Sequence, residues 1–230
     1  MSSVDLTSSY QLIAELLLPP DERDRHRITK LRQGLGSSLT RVDELVAEFL
    51  DHPQSWSSEE YVPILELSPS CPLYLGVYLF DEPSTCNGIG SSGRNAFMLE
   101  LIGLYQHFKL EVAGGELPDF LPIVVDFLGI SLETPARDQV ALRRWCLERH
   151  VLPGLDPLCE SLAKYQSPHQ LVVSALRETV EEDLRRMGET PVWRAPDEMD
   201  RRSISLPVLS ESNEPLSAEE PQLSHSEFRP

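Results

Sequence analysis

An all-α, single-domain helical bundle followed by a disordered C-terminal tail is the fold this chain predicts, on three observations. Apolar residues recur at helical spacing along most of the first 188 positions. Only two stretches, Tyr74 to Phe80 and Ile123 to Phe127, are short and β-rich enough to suggest strands, and no hairpin turn flanks either. After Gly188 the periodicity stops and Pro, Ser and Glu take over. One helix per periodic segment gives roughly eight helices.

In chain order, Ser9 to Leu17 is expected to form the first helix, ending before Pro19-Pro20, whose rings cannot continue it. Val42, Leu45, Val46, Phe49 and Leu50 make an apolar stripe, with Asp43, Glu44 and Glu48 on the wet face. Phe97, Leu101, Leu104, Tyr105 and Phe108 repeat the pattern. In Glu116-Leu117-Pro118-Asp119-Phe120-Leu121-Pro122 the chain carries a helix start. Asp119 is suited to cap the first turn, and Pro118 keeps the preceding segment extended. Pro122 falls in the first turn, where a missing N–H costs little. Ile123 to Leu128 continues that helix and Gly129 offers its stop. Thr134-Pro135 opens another through Val140, Leu142 and Trp145, and Val172, Leu176, Val180 and Leu184 form a last stripe. The expected division is a helical domain over 1–188 and an acidic Pro/Ser-rich tail over 189–230, with a small apolar patch at Ile204 to Leu209.

A length of 230 residues suits one domain plus an appendage. The net charge of −17 argues against nucleic acid and against an anionic membrane surface, while favouring basic partners. The N-terminus lacks a basic region, and Leu12 to Leu18 is short and broken by Glu15, so a secretion signal is not expected. No apolar run reaches the length of a membrane span. Cys71, Cys86, Cys146 and Cys159 show no paired spacing, which points to free thiols and a reducing cytoplasm.

Motifs for catalysis and metal binding are missing. His26, His52, His107, His150, His169 and His225 are scattered without ligand spacing, and no Gly-x-Ser-x-Gly elbow occurs. Glu181-Glu182-Asp183 lies among Arg177, Arg185 and Arg186, as expected of a solvated face with i,i+4 ion pairs. Arg201-Arg202-Ser203 has the letters of a twin-arginine signal but stands in the tail. Gly88-Ile89-Gly90-Ser91-Ser92-Gly93 is a literal GxGxxG and supplies the alternative reading, a nucleotide-binding protein. Against it, Asp81 to Asn87 separates the glycines from the preceding apolar run, and no βαβ unit accompanies them.

Tyr74, Tyr78, Asp81, Glu116, Pro118, Asp119, Phe120 and Asp126 remain as an acidic-aromatic set. Capping and core packing would explain them, and so would a groove that holds an amphipathic peptide. In such a groove aromatic walls take the apolar face, and rim carboxylates take Arg or Lys. The Glu116 to Pro122 segment closely resembles the ELPD-x-LP signature of the delta-subunit (NarJ/TorD/DmsD-like) assembly chaperones of nitrate reductase and related molybdoenzymes. Leu73 to Asp81, Phe97 to Phe108, His150 to Leu155 and Leu171 to Leu184 extend the resemblance over about Leu12 to Arg186. It implies a cytoplasmic, non-enzymatic chaperone without a cofactor of its own. Its partner would be the N-terminal leader of a dimethyl-sulfoxide-reductase-class catalytic subunit, held until molybdenum cofactor is inserted. A Gly/Ser-rich loop from Glu82 to Gly93 and the long tail depart from nitrate-reductase chaperones. The client could equally be of the ethylbenzene or dimethylsulfide dehydrogenase, selenate reductase or chlorate reductase type.

Overall fold

The computed structural model describes residues 4–67, 69–80, 93–112, 114–133, 137–190 and 193, and the fold they form is all-α. Helix α1 (Val4–Leu17) begins five residues before the expected start and ends at the prolines. Its Leu6, Tyr10, Leu12, Ile13, Leu16 and Leu17 are all buried, a wide core-facing side that leaves Val4, Thr7, Ser8, Gln11 and Ala14 on the more accessible one. It packs against α7 (Leu121–Ile130), α10 (His169–Met187) and α2 (Arg25–Gln33). Sequence periodicity gave no hint of α2, which buries only Ile28 of its own length. Asp24 starts it by accepting from the His26 and Arg27 N–H groups at 2.8 and 3.1 Å.

The second layer is α3 (Thr40–Asp51) on α10, and its stripe buries Val42, Leu45, Val46 and Phe49 as expected. Helix α4 (Ser58–Leu65) follows, then a five-residue α5 (Leu75–Leu79) and α6 (Gly93–His107). Helix α8 (Arg137–Cys146) passes without a break through a π turn, Leu147–Val151, into α9 (Leu152–Lys164). Leu152 N–H reaches back five residues to Leu147 O, and Pro153, which has no N–H to give, follows directly. The wide turn accommodates the proline while the helix continues.

Two local expectations are corrected. Gly129 does not stop α7, which ends at Ile130 with Ser131 as its cap. A Cβ at Gly129 would stand 3.3 Å from Tyr10 Cβ, so this glycine lets α1 and α7 approach closely. Both stretches with some strand character are helical, as the all-α expectation has it, in α5 and the middle of α7. The second correction concerns the carboxylates of α10. Glu181 is exposed and pairs with Arg177 at 3.0 Å, as expected, but Glu182 and Asp183 are buried. Asp183 accepts from Tyr10 Oη at 2.8 Å and pairs with Arg143, whose guanidinium also donates to Leu128 O at 2.6 Å and to Ser131 Oγ. One interior network thus ties α1, α7, α8 and α10 together.

The compact unit runs to Arg194, six residues past the expected boundary at Gly188. Beyond the left-handed Gly188, Arg144 donates to the carbonyls of Gly188 and Thr190, and the Trp193 ring meets Trp145 at 5.4 Å. The expected disordered tail, with Arg201-Arg202-Ser203 and Ile204 to Leu209, lies outside the described residues apart from its first few positions. No helix among the described residues is long and apolar enough to cross a membrane.

Candidate functional site

The Glu116–Phe120 segment meets the start of α5 as a short antiparallel bridge, Tyr74 opposite Phe120. Leu75 N–H donates to Asp119 O at 3.0 Å and Leu121 N–H to Leu73 O at 2.7 Å. Asp119 is fully buried, and its carboxylate does not cap its own helix. Its Oδ2 accepts from Gly76 N–H and from Arg94 Nε, both at 3.1 Å, so it caps α5 and anchors the first turn of α6. Phe120 takes the N-cap position of α7 with extended backbone and no side-chain cap. Asp119 therefore joins three elements that lie apart in sequence. A Cβ at Gly76 would stand 2.6 Å from Asp119 Oδ2, which is why a glycine sits there. Pro118 is buried as well, its carbonyl accepting from Tyr105 Oη at 2.8 Å.

Above this buried clamp lies a small accessible ledge. Tyr74 and Phe120 are half-buried, with ring centroids 5.2 Å apart. Glu116 is exposed and accepts from Tyr74 Oη at 3.0 Å and from Leu117 N–H at 2.9 Å. Burial, then the bond to Glu116, pushes the Tyr74 phenol above its usual pKa, so it stays a donor at neutral pH. The Arg94 guanidinium sits 5.8 Å from the Tyr74 ring centroid, on the side of the buried carboxylate. The ledge thus offers two aromatic faces and one carboxylate, a surface suited to an apolar side chain with a cation beside it.

The other expected site residues fall elsewhere. Tyr78 turns its hydroxyl inward toward Ser161, and burial raises its pKa. Asp126 lies two turns along α7 from Phe120, half-buried, facing a cavity treated below. Asp81 is outside the described residues. The structure brings together Tyr74, Glu116, Pro118, Asp119 and Phe120, and separates Tyr78 and Asp126 from them. Sequence reasoning missed Gly76, Arg94 and Tyr105, which hold the clamp; their only signal is spatial.

Of the glycine fingerprint, 88–92 lie outside the described residues, and Gly93 opens α6. A Cβ there would meet the Phe80 ring at 2.6 Å, so Gly93 serves close packing against an aromatic side chain. Among the described residues no strand exists to lead such a motif. Nor do three His, Cys, Asp or Glu side chains converge on a common point there. His150, buried under Trp145 and Phe97, has its pKa lowered to about 4 by burial, with Arg149 contributing. Compared with known proteins, the chain matches no family model and no curated relative.

Proposed function

We propose that this protein is a non-enzymatic assembly chaperone for a molybdenum enzyme of the dimethyl-sulfoxide-reductase class. It binds the N-terminal leader of the catalytic subunit in the cytoplasm and holds that subunit until molybdenum cofactor is inserted, before export or membrane attachment. The observation that carries this reading is the Glu116 to Pro122 segment. Its sequence resembles the signature of that chaperone family, and its residues build a rigid clamp with an acidic-aromatic ledge on top. The all-α fold and the acidic charge of −17, which suits a basic leader, give further support. Clients of the nitrate reductase, ethylbenzene or dimethylsulfide dehydrogenase, selenate reductase and chlorate reductase types all fit it.

The test is a calorimetric titration with the N-terminal leader peptide of a dimethyl-sulfoxide-reductase-class catalytic subunit. Micromolar or tighter binding, on the order of −8 kcal/mol, is expected. Glu116→Gln should weaken it mainly at low salt, since rim charges are screened as ionic strength rises. Phe120→Ala should leave the circular dichroism and melting curve nearly unchanged while reducing affinity at least tenfold. A leader that does not bind the wild-type protein, together with client subunits that acquire molybdopterin normally without it, would remove the proposal.

A further inference from the structure

Between α6 and α7 a cavity of about 240 Å³ opens to the surface, walled by Tyr105, Ile123, Phe127 and Ile130. Among the described residues that line it, the charged groups are two carboxylates, Asp126 and Glu111, with no lysine, arginine or histidine. Asp126 makes no hydrogen bond or ion pair among the described residues, although it is half-buried. Arg27, whose charge acts on Asp126, is paired directly with Glu15 at 3.3 Å. A partly buried carboxylate with no direct ion-pair partner among the described residues leaves an acceptor free for a cation that a ligand brings. The volume is below the roughly 300–1,000 Å³ of drug-sized ligand sites. It exceeds the ~150 Å³ cavity that accepts benzene, so one long side chain fits.

We propose that this cavity is a second recognition subsite, which takes a single arginine or lysine side chain of the bound peptide. The aliphatic stem lies against Ile123, Phe127 and Ile130, and the cation meets Asp126. Ile123, Asp126 and Ile130 are the half-buried residues of α7, and Phe120 of the aromatic ledge is its half-buried N-cap, so one bound peptide running along α7 reaches both places. Asp126 lies six positions after the N-cap Phe120, about 9 Å along the axis at the helical rise. An extended peptide covers that span in about three residues and a helical one in about six, which sets the expected spacing between the residue on Phe120 and the basic one. The inference rests on the peptide-binding reading above and adds the chemistry of one pocket to it.

The test uses n-butylguanidinium as an arginine side-chain probe and n-butylurea as its neutral isostere, titrated into the full chain while the Ile123 and Ile130 methyl resonances are followed. Butylguanidinium should shift both methyls saturably, at least tenfold more tightly than butylurea. Asp126→Asn should bring the two probes to equal affinity while leaving the fold intact. Equal binding of both probes by the wild type, or no response at these methyls, overturns the pocket assignment. The leader titration then separates the two ideas. If Asp126→Asn binds the leader as wild type does, the subsite is wrong and the chaperone reading stands. If butylguanidinium binds at Asp126 but no leader binds, the pocket chemistry stands and the chaperone reading fails.

Discussion

Asp183, Asp119 and Asp126 are three carboxylates with three different physical situations, and each fixes a different expectation. Asp183 is buried with Arg143 and Tyr10 as partners, so removing it leaves an uncompensated guanidinium in the core. Asp183→Ala should cost about 3–5 kcal/mol in urea unfolding, and Tyr10→Phe only about 1 kcal/mol, because the ion pair survives that change. Asp126 is the opposite case: burial raises its pKa from the ordinary 3.8, with Arg27 opposing. A carboxyl whose folded pKa lies above its unfolded value stabilises the fold only while protonated. That contribution is full below about pH 3.8 and is lost as pH rises through the folded value. Asp126→Asn should therefore melt higher than wild type at pH 7, with the difference vanishing near pH 3.5; equal melting at pH 7 would show that the carboxylate is satisfied. Sequence spacing placed Asp126 beside apolar neighbours but could not reveal its missing partner. Asp183 was more legible than it looked, since it continues the Val172, Leu176, Val180 stripe, yet flanking arginines made it read as a solvated residue.

Element boundaries followed periodicity where a helix buries one clean face, as in α3, and failed where burial is unusual. Helix α1 buries eight of its 14 residues and extends through residues whose pattern alone does not mark a start. Helix α2 buries one apolar residue and depends on the Asp24 cap, with Gly34 following its last residue. In α5 the five helical residues have too little length to be stable alone, and Asp119 from a distant segment supplies the cap. This dependence makes Gly76 a sensitive position. Gly76→Ala places a methyl 2.6 Å from Asp119 Oδ2 and 2.7 Å from Arg94 Cγ, so the clamp must open. A loss of about 1–3 kcal/mol is expected, together with exchange broadening of the Leu75 and Gly76 amides. A variant as stable as wild type would show that α5 can shift without the clamp. The assignment of Asp119 as a cap was right in its chemistry and wrong in its helix. Cap propensity is local information, but the choice of recipient depends on which N-terminus folding brings near.

At the scale of the molecule, the unit that carries the described residues ends after Arg194 rather than Gly188. Truncation after Gly188 removes the Trp193 ring from Trp145 and the Thr190 carbonyl from Arg144, and should lower stability by about 1–2 kcal/mol. Truncation after Arg194 keeps both contacts and should melt as the full chain does; equal melting of the two truncations would show that Trp193 adds nothing. The sequence by itself determined the fold class, most helix positions and the segment on which the proposed site is built. Those follow from apolar period, proline placement and cap residues, which act over a few neighbouring positions. Only the tertiary structure decided that Asp119 is buried, that Tyr78 points inward, and that Asp126 faces its own cavity. Burial, charge pairing and cavity shape arise from residues far apart in the chain, and no local pattern carries them.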